Sequence, residues 1–113
     1  MDILTIFKII AALGTIAIGL LALLRPRSIK PFTGLEVPGP RGVTEVRAVL
    51  GGAFIGLGLA ALLLGPVAYQ TLGITYIVIA AVRAVSMLAD RSVERSNLIS
   101  LASEIVLGVV LVL

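Results

Sequence analysis

Residues 3–24 read ILTIFKIIAALGTIAIGLLALL, an unbroken apolar run whose single charge, Lys8, lies near its start. A helix needs about 20 such residues to cross the hydrocarbon core of a bilayer. Three more runs meet that length rule: Thr44–Leu64, Val67–Ala89 and Asn97–Leu113. In lipid, every backbone N–H and C=O must be paired within its own segment, which selects helices over open strands. The runs therefore predict an all-α chain, a polytopic integral membrane protein built as a four-transmembrane-helix bundle. One membrane domain over residues 1–113 accommodates all four spans.

Composition agrees with that reading. Hydrophobic residues make up 59% of the chain and charged residues only 13%, with a mean hydropathy of +1.19. A soluble domain carries about 25% charged residues on its surface. The net charge of +3 is too thinly spread for a nucleic-acid patch, so no nucleic-acid partner is expected. The chain has no Cys and no His. Thiolate or imidazole metal sites, Cys nucleophiles and His general bases are thereby excluded. No cofactor, metal site or catalytic residue is expected from the sequence. The first run follows Asp2 rather than a basic segment, and no small-residue cleavage site follows it, so it reads as a retained span rather than a signal peptide.

The connection over residues 25–43 holds Pro26, Pro31, Pro38 and Pro40 with Gly34, Gly39 and Gly42, a density that reads as loop throughout. Gly65-Pro66 joins the second and third spans tightly, and residues 90–96 join the third and fourth. Arg25, Arg27, Lys30 and Arg41 lie in the first loop, and Arg91 and Arg95 in the last, whereas the Gly65–Tyr69 turn carries no cation. The positive-inside rule places loops 25–43 and 90–96 in the cytoplasm and both termini outside a bacterial inner (plasma) membrane. Phe32, Leu35 and Val37 read as contacts to the membrane surface or to a partner.

Helical spacing assigns small and polar residues to stripes. Lys8, Ala12, Thr15, Gly19 and Ala22 align on the first span. On the second, Glu45, Gly52 and Gly56 share one face, and Arg47, Gly51 and Gly58 a nearly opposite one. Tyr76, Ala80, Arg83, Met87 and Asp90 align on the third, and Asn97, Ser100, Glu104 and Gly108 on the fourth. Small residues let membrane helices approach closely, so Gly51, Gly52, Gly56, Gly58 and Gly108 are expected at helix contacts. Gly52-x-x-x-Gly56 also fits a homodimer seam. The Tyr76 hydroxyl needs a partner within the span, most simply a backbone carbonyl.

Glu45, Arg47, Arg83 and Glu104 fall inside the runs, all roughly 3–14 Å from the loop end at 1.5 Å per residue. Two acids and two arginines balance, which predicts a buried charge network: Arg83 with Glu104 or Glu45, and Arg47 with the remaining acid or a lipid phosphate. Such a cluster either fixes helix register or forms a polar pocket for a lipid-like or quinone-like head group.

The stretch Thr44-Glu45-Val46-Arg47-Ala48-Val49-Leu50-Gly51-Gly52, with Gly56 and Gly58 beyond it, is one distinctive element. The other is Arg83-Ala84-Val85-Ser86-Met87-Leu88-Ala89-Asp90, with Glu104 and Gly108 on the next span. Together they resemble a group of uncharacterised small bacterial four-helix membrane proteins of the DoxX/DoxD-like superfamily. The resemblance implies a four-helix bundle with Glu45, Arg47, Arg83 and Glu104 as recurrent polar positions. The Arg91–Arg95 turn departs from the Asp-Gly turn of such relatives.

Three functions are open to such a chain. The first is a non-catalytic accessory or structural subunit of a larger membrane assembly, held by a membrane-protein partner or by its own copies. The second is binding or transport of a lipid-like or quinone-like molecule at the Glu/Arg cluster. The third, by analogy alone, is a subunit of a quinone-linked redox system.

Overall fold

Four helices in a computed structural model of residues 1–113 are long and apolar enough to cross a membrane: α1 (Ile3–Leu24), α2 (Pro40–Leu64), α3 (Pro66–Ala89) and α4 (Arg95–Val112). Each starts and stops for a local reason. Asp2 is extended, and its carboxylate accepts the Thr5 N–H at 2.8 Å, capping α1. Pro26 ends α1 and opens a 3-10 turn, Pro26–Ile29, followed by one helical turn, Lys30–Thr33. Gly34 closes that turn at φ +73°, a left-handed conformation that glycine adopts without a steric penalty.

The second span begins at Pro40, not at Thr44, so the loop is shorter than the 25–43 reading. Proline density alone reads there as helix-breaking throughout. At the first helical position, however, the fixed φ of proline is already helical and its missing N–H is not required. Gly39 is extended ahead of it. Within α2, residues Val46–Gly51 wind wide in π fashion, the Gly52 N–H reaching the carbonyls of Arg47 and Ala48. Gly65, at φ +81°, turns the chain directly into Pro66 at the start of α3. After α3, Arg91 takes φ +53°, and the Ser92 N–H closes on the Met87 carbonyl at 3.0 Å.

The helices form two hairpins. α1 packs along α2 and α3 along α4, and the pairs meet chiefly through α2 and α3. Glycine lets the backbones touch in both hairpins. A Cβ on Gly19 would sit 2.8 Å from the Gly51 carbonyl oxygen, and one on Gly58 would sit 2.9 Å from that of Ala12. Across α3 and α4, a Cβ on Gly73 would lie 2.9 Å from the Val112 nitrogen, and one on Gly108 3.2 Å from the Gly73 oxygen. Ala11, Ala12, Ala61, Leu72, Tyr76 and Leu111, drawn from all four helices, form the central core.

A second, smaller core lies at the loop end, where Ala22, Ile29 and Val37 are packed by Val43, Val46 and Leu50. Val37 is therefore interior, against the expectation that it meets membrane or partner, while Phe32 and Leu35 remain exposed. Arg27 holds this fold-back by donating to the Val37 carbonyl at 3.1 Å. Only 19 of the 113 residues are buried, and Leu, Ile and Val dominate the large exposed side chains. In water such a surface would oppose folding; hydrocarbon imposes no such penalty. The long dimension, 44 Å, exceeds the roughly 30 Å thickness of a bilayer's hydrocarbon core.

Candidate functional site

Glu104 lies ~14 Å along α4 from Arg95 and is 8% exposed. It faces Arg83 of α3. Arg83 Nε donates to both Glu104 oxygens, at 3.0 and 2.9 Å, and Nη2 donates to Oε1 at 2.6 Å. Nη1 donates to Asn97 Oδ1 at 2.9 Å. Asn97 in turn donates through Nδ2 to the Ser92 carbonyl at 2.9 Å. The network thus runs from mid-span to the α3–α4 turn. Arginine suits it because its planar fork engages a carboxylate bidentately and keeps its proton. Pairing offsets the cost of charge in a span, about 2.5–3.5 kcal/mol for a lone residue.

The other two expected members do not join. Glu45 pairs with Arg41, one turn earlier on its own helix, and both side chains are exposed. This follows from the early start of α2: a helix from Pro40, not a loop to residue 43, sets Arg41 four residues before Glu45. Arg47 is exposed and forms no ion pair. Ideal spacing aligns it with Gly51 and Gly58, which face α1, but the wide turn over Val46–Gly51 breaks that phase. Val43, Val46 and Leu50 meet the interior instead. The expected four-residue cluster is therefore a buried pair, Arg83 and Glu104, and a separate surface pair.

The glycine positions divide likewise. Gly51, Gly58 and Gly108 lie in helix contacts as expected, whereas Gly52 and Gly56 are exposed with nothing within 4 Å of where a Cβ would stand. Sequence reasoning missed Gly73 as a contact and Asn97 as the second partner of Arg83. Asn97 carried a signal, since it shares the helical stripe of Glu104.

A second polar contact crosses the core. The hydroxyls of Tyr76 and Thr15 lie 2.6 Å apart, and Thr15 Oγ1 donates to the Ala11 carbonyl at 2.8 Å. With that proton committed, Tyr76 donates to Thr15. The tyrosine thus reaches a carbonyl through a threonine, not directly as expected. Beside it lies a cavity of about 10 Å³ bordered by Thr15, Phe54, Leu57, Leu72, Thr75, Tyr76 and Ile79, about the space of one water.

The chemistry this arrangement supports is limited. Every donor-bearing nitrogen of Arg83 is engaged by protein, and every buried side-chain nitrogen and oxygen has a partner. No curated protein and no solved structure matches the chain. The model of a family described as a domain of unknown function, DUF4345, matches residues 3–113.

Proposed function

The chain belongs to the DUF4345 family, and on that premise we propose that it is a non-catalytic accessory or structural subunit of a larger membrane assembly. The observation that carries the reading is the contrast between a closed interior and an open outer stripe. Inside, every nitrogen of the Arg83 guanidinium already has a protein partner, and the core holds only a water-sized hollow. Outside, Gly52 and Gly56 offer bare backbone on α2. Small residues on a lipid-facing helix are where another helix approaches closely. The partner is a second membrane protein or a further copy of this chain. The resemblance to DoxX/DoxD-like proteins implies a four-helix bundle and supplies no function of its own.

The orientation belongs to this proposal. Four antiparallel helices bring the cationic loops to one end, which the positive-inside rule assigns to the cytoplasm, with both termini outside. In a chain without native Cys, Ser28→Cys and Ser92→Cys are expected to resist an impermeant thiol reagent in intact cells. Labelling of both from outside inverts the orientation.

Purification from native membranes in mild detergent, followed by mass spectrometry, tests the role. Stoichiometric partners are expected, and Gly52→Leu with Gly56→Leu is expected to release them without unfolding the chain. A stable lone monomer carrying a small molecule would defeat the reading.

A second reading keeps one observation in its favour. The Arg83 side chain retains 31% exposure, so a lipid-like or quinone-like head group has an approach to the pair. It predicts that Glu104→Gln abolishes ligand retention while the fold persists; loss of protein accumulation instead assigns the pair to stability.

A further inference from the structure

On α4, residues 95, 96, 99 and 100 fall on one face because they are spaced by one and four. That face looks across to the Lys30–Thr33 turn, which packs against α4. Between them runs a groove of about 320 Å³, lined by Pro31, Phe32, Arg95, Ser96, Ile99 and Ser100. Its size is at the lower end of the range of small-molecule sites, about 300–1,000 Å³.

The chemistry of its walls is mixed in an ordered way. Arg95 is exposed and engaged in no ion pair, whereas Lys30, beside Pro31, is committed to Glu36 at 2.6 Å. Ser103, on the same helix, returns its hydroxyl to the Ile99 carbonyl at 2.9 Å, and Thr71 and Thr75 do the same on α3. Ser96 and Ser100 make no such bond and keep their hydroxyl protons free for the groove. Glu94, the nearest acid in sequence, is not among the lining residues. Phe32 and Ile99, 63% and 57% exposed, add apolar surface beside these donors.

We propose that this groove holds the phosphate diester of a membrane phospholipid, the phosphate on Arg95, Ser96 and Ser100 and an acyl chain along Ile99 and Phe32. Two observations select a lipid over a soluble phosphate compound. The groove opens at the end of a candidate membrane span, and apolar surface continues directly from its cationic mouth. Arginine with hydroxyl donors matches phosphate oxygens, which only accept. The site is distinct from the Arg83–Glu104 pair and does not depend on the accessory-subunit reading.

The test uses the full chain in nonionic detergent, with dioleoyl phosphatidylglycerol as probe and native mass spectrometry as readout. Wild type is expected to retain one lipid. Arg95→Gln is expected to weaken retention about tenfold, the loss of one charge-assisted hydrogen bond. Ser100→Ala weakens it less but measurably, and serves as the decisive variant if Arg95→Gln does not fold. Arg91→Gln, nearby but outside the groove, is expected to leave retention unchanged. Equal retention by wild type, Arg95→Gln and Ser100→Ala overturns the proposal. So does an equal loss in Arg91→Gln, which marks diffuse surface charge. Displacement of the lipid by millimolar inorganic phosphate overturns it in favour of a soluble phosphate ligand.

Discussion

The two hairpins solve the same packing problem with different means. α1 and α2 meet through apolar contacts alone, with close backbone approach at Gly19 on Gly51 and Gly58 on Ala12, and the charges of α2 stay on its outer surface. α3 and α4 use a glycine contact at one end, Gly73 on Gly108, and the Arg83–Glu104–Asn97 network at the other. Close backbone approach gives dispersion contact that depends on fit, whereas a cross-helix ion pair in a span depends on both partners being present. The first hairpin is therefore expected to be sensitive to added volume and indifferent to charge, and the second sensitive to both.

The largest effect expected is in the second hairpin. Glu104→Ala leaves Arg83 without its carboxylate and is expected to cost about 3 kcal/mol in chemical unfolding from detergent. Joint replacement, Arg83→Leu with Glu104→Leu, is expected to restore most of that loss. If the double variant is no better than the single, the pair contributes more than mutual neutralisation, and the contrast between hairpins sharpens.

Next comes volume in the first hairpin. Gly58→Leu drives a side chain into Ile16 and the Ala12 backbone and is expected to cost about 1–3 kcal/mol. Gly56→Leu, two residues away but open outward, is expected to change monomer stability by less than about 0.5 kcal/mol. Equal effects at the two sites would erase the distinction between inner and outer glycines.

Charge on the first hairpin is expected to matter little. Glu45→Gln breaks an exposed same-helix pair and is expected to cost about 0.5 kcal/mol or less, an effect that fades with added salt. A cost near that of Glu104→Ala would place Glu45 in the buried network after all.

The smallest effect concerns the start of α1. The Thr5 backbone N–H holds the Asp2 carboxyl below its ordinary range. A depressed folded value means the stabilisation is present above the unfolded pKa and is lost as pH falls through the folded one. Fraying of the first turn, read by amide exchange at Thr5, is thus expected only on acidification below the usual carboxylate range. Asp2→Asn, which keeps a capping oxygen, is expected to remove that pH dependence.

Much of this was legible in residue order because the membrane imposes one requirement, a long apolar helix, and Ile3–Leu24 meets it in plain sight. Arg83 was legible as a charge that needs an acid, but spacing left Glu104 and Glu45 as equal choices, and the same balance wrongly drew Arg47 into the cluster. What failed was phase. A 3.6-residue period carried across Val46–Gly51 puts Arg47 beside Gly51, but the wide turn there consumes residues at a different rate. Which of two adjacent glycines, Gly51 or Gly52, faced α1 could not follow from spacing that gave each a face of its own. The helical start at Pro40 was hidden by the double character of proline, a breaker inside a helix and a good first residue of one.

The Thr15–Tyr76 contact has an optical consequence. The chain has no Trp and two Tyr, so Tyr69 and Tyr76 provide its intrinsic near-ultraviolet signal. Tyr76 is 4% exposed at the meeting of the hairpins, with its hydroxyl engaged across to α1, while Tyr69 is half-buried near the α2–α3 turn. Separation of the two hairpins would wet Tyr76 and release its hydroxyl. Second-derivative absorbance of a Tyr69→Phe variant would then follow the docking of one half of the molecule on the other, without any label.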